Sequence, residues 1–226
     1  MLEALLPEAL LPEVIRQNLP FLLAGLAMTV RLAAIGIVGG TLLGLLVGVI
    51  RYARVPVLSP LAALYVEIVR GTPLLVVLFI CYFAIPALLG YRTSAVNAAA
   101  LGFVLFIAAY LAEDVRSGLR SVPPGLARAG LATGLSTVQV FRLIVLPQAL
   151  RRIIPPVFSQ YVRLFKFTSV ASVIGVRELT GSALLVNARE FQPVVILATV
   201  ALTYLVLCST LSLVGRLLYA RLSVRT

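Results

Sequence analysis

Apolar residues run through this chain in long blocks, and the charges collect mainly between them. From residue 21 to residue 50 the only charged side chain is Arg31. At about 1.5 Å per residue this block exceeds the ~30 Å hydrocarbon core of a bilayer, so it predicts a first spanning helix that tilts or bends. Gly36, Gly40, Gly44 and Gly48 fall every fourth residue on one face of that helix, where a second helix can approach closely. The next block, residues 57–89, is broken by Gly71, Thr72 and Pro73. Glu67 and Arg70 precede the break and are spaced to pair on one helix face. A break at membrane depth is tolerated only where protein or a cavity covers it, and a kinked helix entering the membrane is the simplest form. Residues 94–112 predict a third span, ending at Glu113, Asp114 and Arg116, and residues 152–176 and 193–218 predict two more.

The long break in this membrane-like sequence lies between the third and fourth spans, at residues 121–152. Pro123 and Pro124 suit a first helical turn, and Gly134 suits the left-handed position after a last one. Ser136 with Gln139 three residues on reads as a capping box. It opens a second short helix expected to run to Leu146 and stop at Pro147. Val138, Phe141 and Val145 form its apolar stripe. Such a helical hairpin fits docking of a soluble partner in a groove.

Composition and charge then narrow the class. The 226 residues are 61% hydrophobic with mean hydropathy +1.09, far above a soluble domain. The net charge of +11 reflects loop arginines, and nucleic-acid binding is not expected. Residues 1–20 hold Leu-Pro-Glu units that cannot continue as one helix, and they read as an outer interfacial segment without a cleavage site. Arg51 and Arg54, the six arginines from Arg116 to Arg152, and Arg216, Arg221 and Arg225 mark one side of the membrane. The other side holds five acids against four arginines. By the positive-inside rule the N-terminus is expected outside and the C-terminus in the cytoplasm. Cys81 and Cys208 lie in apolar runs and read as packing residues, with no metal site expected. There is no histidine, which removes His-dependent catalysis, and no Gly-Lys-Ser/Thr phosphate loop.

Within the fourth span, Arg163 and Lys166 lie roughly 16–21 Å beyond Arg152 and therefore near mid-bilayer. Arg31 reaches a similar depth. Cations at that depth turn to a partner or an aqueous cavity. Two roles stand side by side for them: lining a midplane cavity that receives an amino-acid carboxylate, possible substrates including an acidic one, or structural pairing with helix-end carbonyls.

Four ordered runs carry a family resemblance: VEIVRGTPLLVVLF (66–79), AAYLAEDVRSGLRSVPPG (108–125), GLSTVQVFRLIVLPQALRRIIPP (134–156) and KFTSVASVIGVREL (166–179). Together they resemble the permease subunit of polar amino-acid ATP-binding-cassette importers, from about Thr29 to the C-terminus. The resemblance implies an all-α polytopic fold of about five spans, the type I importer permease fold, within residues 21–226. It also implies a bacterial cytoplasmic membrane, a coupling loop at about 117–150, and no enzymatic activity or cofactor of its own. The expected partners are a cytoplasmic ATPase dimer that binds the ATP, a second permease chain, like or unlike, an extracytoplasmic amino-acid-binding protein, and membrane lipid.

The expected ATPase-coupling residues are Gly125, Arg128, Gly134, Leu135, Phe141, Leu146 and Pro147. The expected substrate-binding residues are Thr29, Arg31, Phe106, Arg163, Lys166, Phe167 and Thr168. The chain departs from the family in several places. Arg128, Ala129 and Gly130 stand where Glu-Ala-Ala is usual, Phe167 replaces an acid, and Phe106 and Ser159 replace asparagines. Two phenylalanines in place of polar groups also fit a chain that contributes little to the substrate pocket. An importer of another small solute, or a scaffold or channel without ATP coupling, remains an alternative.

Overall fold

A computed structural model describes residues 12–223. The described residues are helical, without strands, in the order α1 Glu13–Ala53, α2 Leu58–Gly71, α3 Leu74–Phe79, α4 Ile85–Leu89, α5 Ala95–Arg120, α6 Pro124–Ala132, α7 Thr137–Val140, α8 Leu146–Phe167, α9 Leu179–Glu190 and α10 Pro193–Ser223. Three helices are long and apolar enough to cross a membrane, or up to five if each bent pair is one span.

Helix α1 packs chiefly along α5, and the glycine stripe is the reason. A Cβ on Gly40 would stand 2.8 Å from Ile107, and one on Gly44 would stand 2.7 Å from Leu111. Backbone-to-side-chain approach at that distance admits no methyl group, so the stripe is a packing seam, as its spacing predicts. At one end of the seam Arg51 of α1 bonds Glu113 of α5 at 2.6 Å. Leu32, Phe103, Ile107, Leu111 and Leu164 form the centre of the main apolar core between α1, α5 and α8.

Several boundaries differ from the sequence reading. Helix α1 begins at Glu13, after Pro12 as its N-cap, and runs through Pro20. Val14 and Ile15 are buried against Leu179, Val186 and Ile196, so residues 13–20 are part of the first helix. The remainder of the proposed interfacial segment, residues 1–11, lies outside the described residues. Helix α5 continues past Glu113, Asp114 and Arg116 to Arg120, capped at its start by Ser94, whose hydroxyl accepts the Asn97 N–H at 3.2 Å. The stretch after residue 176, read as an outer loop, holds α9, bent by 50° from the helical run before it.

The break at Gly71–Thr72–Pro73 turns the chain by 113°, much more than a kink. The Thr72 hydroxyl occupies the Ile68 carbonyl at 2.7 Å at this turn. Two π turns, Ile80–Ala84 and Phe141–Val145, each precede a proline by two residues, Pro86 and Pro147. A proline lacks the N–H for an i−4 bond and clashes with that carbonyl. The wider i−5 turn ahead of it leaves room, and Leu146 N–H bonds the Phe141 carbonyl. Pro147 therefore opens α8 instead of ending the preceding helix.

Candidate substrate and coupling sites

Phe106, Tyr110 and Asp114 recur at four-residue spacing on α5 and so form one stripe. Gln160, Arg163 and Phe167 form the stripe on α8 that meets it. The contacts fix the pairing. The Phe106 ring lies 4.9 Å from Tyr110 and 5.8 Å from Phe167, centroid to centroid. The Arg163 guanidinium stands 5.8 Å from the Tyr110 centroid, and Arg70, at the end of α2, stands 5.3 Å from the same ring. Gln160 donates through Nε2 to Asp114 at 3.1 Å. Helix α2 packs on α5 and carries Arg70, just before the break, to the α5–α8 seam.

The charges around this cluster are unequally satisfied. Glu113 receives Arg51 at 2.6 Å and Arg116, and Arg70 lies at 3.9 Å. Arg70 does not pair with Glu67, which is exposed and has no ion-pair partner among the described residues. Arg163 has no carboxylate within ion-pair distance among the described residues, although Asp114 lies in the electrostatic reach of both Arg70 and Arg163. Oε1 of buried Gln160 has no hydrogen-bond donor there. A buried acceptor without a donor is uncommon. The seam therefore combines two guanidiniums, one carboxylate, one open amide oxygen and an aromatic end formed by Phe106, Tyr110 and Phe167.

The predicted substrate residues divide accordingly. Phe106, Arg163 and Phe167 meet at the seam. Arg31 and Lys166 are exposed, with no carboxylate within ion-pair distance among the described residues, and no contact joins them to it. Thr29 is fully buried elsewhere: it donates to Glu178 at 3.4 Å and accepts the Leu179 N–H at 3.1 Å. Thr168 is fully buried, donates to the Phe165 carbonyl at 2.7 Å and lies against Tyr204. Thr29 and Thr168 are thus packing and junction residues. Of the other residues at the seam, Asp114 is one of the few acids the sequence offers these cations and Gln160 a polar position in the fourth span, whereas the sequence reading did not single out Tyr110. Its signal was available in the four-residue spacing from Phe106.

The hairpin between α5 and α8 has the expected caps. Pro123 precedes α6, Gly134 takes φ +87°, and the Ser136–Gln139 capping box is closed by bonds of 2.8 and 3.3 Å. Gly130 sits where a Cβ would meet Ile144 at 2.6 Å, so its glycine lets α6 close on the π turn. The predicted stripe does not lie on one exposed face. Val138 is exposed and Phe141 half-buried, while Val145 is buried with Val115, Leu119 and Val140. Across the hairpin the apolar side chains that face outward are Leu126, Leu131, Val138 and Leu143. Gly125, Arg128, Gly134 and Pro147 are exposed beside them, and Leu135 and Leu146 are half-buried.

Comparison with known proteins places this geometry. The family described as "Binding-protein-dependent transport system inner membrane component" matches residues 40–224. A probable glutamine ABC transporter permease protein, GlnP, of Bacillus subtilis is 40% identical over 211 residues, covering 91% of this chain and 95% of that relative. The glutamine transport system permease protein GlnP of Escherichia coli is 36% identical over 207 residues, covering 91% and 94%. Among solved structures, a chain of an amino acid ABC transporter crystallised with histidines superposes with TM-score 0.86 at 28% identity, covering 92% of this chain and 96% of that one.

Proposed function

Since the chain belongs to the inner membrane components of binding-protein-dependent transport systems, we propose that it is the permease subunit of an ATP-driven importer of polar amino acids. Its relatives are permease proteins, translocation components without catalysis of their own. Import in this reading is powered by a separate ATPase that docks on residues 121–147, with substrate delivered from outside by a solute-binding protein. A second permease chain completes the path, and the N-terminus lies outside.

The observation that carries the substrate reading is the unequal charge at the α5–α8 seam. A zwitterion matches it. Arg163 and Arg70 can take a carboxylate as charge-assisted hydrogen bonds. Asp114 can take the ammonium group, with Gln160 bonded behind it. Glu113 is already engaged by Arg51 and Arg116, so the remaining balance is two guanidiniums against one carboxylate. That balance favours neutral or acidic side chains over cationic ones. The Phe106–Phe167 contact closes the deep end, which supports a second reading in which most side-chain recognition falls to an unlike partner chain.

Coupling follows from the hairpin. Leu126, Leu131, Val138 and Leu143 face out beside Arg128 and Arg142, an apolar knob with a basic rim. Closure of the ATPase around it would rock the spans between outward-open and inward-open states.

The test is uptake by the assembled transporter with its binding protein. Arg163→Gln is expected to raise KM about tenfold or more, the loss of one charged contact to a carboxylate, while Lys166→Met changes little. Unchanged uptake of acidic, neutral and cationic amino acids by the Arg163 variant would discard the seam as the substrate site.

A further inference from the structure

A groove between α8 and α10, away from the seam, has a volume of about 350 Å³, within the range of ligand sites at ~300–1,000 Å³. Its walls run antiparallel: the Cys208 thiol lies 4.0 Å from the Val162 carbonyl, and a Cβ on Gly215 would stand 2.9 Å from Phe158. Val162 and Ser212 therefore stand at one end, and Pro155, Arg216 and Tyr219 at the other. The seven residues between these ends span ~10 Å of helix. Ser159 and Ser212 add hydroxyls along the groove, but among the described lining residues charge stands at one end only. Val162 and Ser212 lie toward mid-bilayer, whereas Arg216, about level with Val157, and Tyr219 lie toward the Arg152 end of α8, the end expected at the cytoplasmic surface. Arg216 is exposed and has no carboxylate within ion-pair distance among the described residues.

We infer that this groove holds one anionic phospholipid of the inner leaflet, with its acyl chain along Phe158 and Val162 and its phosphate at Arg216. Two features select a lipid. The long axis follows the membrane normal, as an acyl chain does. Among the described lining residues the one cation, Arg216, sits toward the end where a headgroup would lie, and basic pockets between helices on this side bind anionic headgroups. Gly215 lets α10 close on Phe158, where a Cβ would stand 2.9 Å away, and the groove lies beside this close approach. The site lies on the opposite wall of the α8 helix start from the hairpin contacts, so a lipid here would brace α8 against α10 near the point where the hairpin joins.

The experiment uses the whole transporter, purified in mild detergent and examined by native mass spectrometry after titration with phosphatidylglycerol or phosphatidylcholine. One phosphatidylglycerol per copy of this chain is expected to persist. Arg216→Gln should lower its occupancy about fivefold, the scale of one arginine's attraction to an anionic leaflet. Arg216→Lys should keep it, and so should Arg54→Gln, which removes an exposed arginine just past the end of α1. Equal retention of the two lipids, or equal occupancy in the Arg216→Gln and Arg54→Gln proteins, overturns the inference. So does efficient disulfide crosslinking of Ser212→Cys between two permease chains, in a background lacking Cys81 and Cys208, because a second chain would then fill the groove.

Discussion

Glu178 is fully buried, and no cation stands within ion-pair distance among the described residues. Its carboxylate is held by hydrogen bonds: it accepts Thr180 N–H at 2.9 Å, Gly181 N–H at 2.7 Å, the Tyr204 hydroxyl at 2.9 Å and Thr29 at 3.4 Å. Two of these donors are free N–H groups at the start of α9, where the helix dipole also favours negative charge. One side chain thereby ties α1, α9 and α10. Glu178→Ala leaves several buried donors empty, at about 1–3 kcal/mol each. Its expected outcome is a clear drop in the thermal midpoint of the purified transporter, with Glu178→Gln intermediate; an unshifted midpoint would contradict the junction. In sequence Glu178 reads as one charge of a balanced outer loop. Its meaning depends on Tyr204 and Thr29, which are distant in sequence, and only the Leu-Thr-Gly that follows hints at a capped helix. Arg163 is the opposite case, because a charge at mid-bilayer is conspicuous before any contact is known. Asp114 was in view as one of the few acids near the end of the third span, whereas Tyr110 was hidden for the same reason as the partners of Glu178. Thr29 was placed at a substrate site although its hydroxyl is spent on Glu178 and Leu179.

At the scale of elements, the α1–α5 seam is set by what is missing from one face. Gly44→Ala puts a methyl 2.7 Å from Leu111 and 3.0 Å from the Ala108 carbonyl. Overpacking of this kind costs about 1–3 kcal/mol, so this variant should lower stability and expression. Gly71→Ala meets nothing within 4 Å and should be tolerated, which a thermal melt of both proteins would compare. The seam was legible because a four-residue glycine period has one geometric reading. The long apolar helices were legible from length alone. Helix α9 was not, since its charged and polar residues match an outer loop until the buried contacts of Leu179, Ala183 and Val186 are known. Pro147 misled for a local reason: proline normally ends a helix, and nothing in the preceding FRLIV declares a π turn.

For the whole molecule, the hairpin is the surface on which the proposed coupling rests. Residues 117–152 contain no acid, and Arg128 and Arg142 are exposed. A basic rim of this kind calls for acidic groups on the ATPase that meets it. Arg128→Glu is expected to cut substrate-stimulated ATP hydrolysis by about tenfold or more, the scale of reversing a charge at an interface, while the order of preference among amino acids stays the same. A changed preference with normal hydrolysis would remove Arg128 from the coupling surface. The capping residues made the hairpin readable in advance. Its outward face was not, because the π turn rotates Val145 into the core while Val138 stays outside.

That same turn acts as a phase setting between hairpin and membrane. A π turn holds one residue more than the α-helical turn it replaces, and one residue of an α-helix is worth about 100° of rotation. Gln160, Arg163 and Phe167 face α5 only at the angle which that extra residue sets. Moving the π turn along the chain would therefore carry a small local shift into a rotation of the parts between its old and new positions, without stretching the helix. In this sense Phe141–Val145 resembles a gear tooth more than a hinge: under the proposed coupling, a push on the hairpin would reach the seam as an angle.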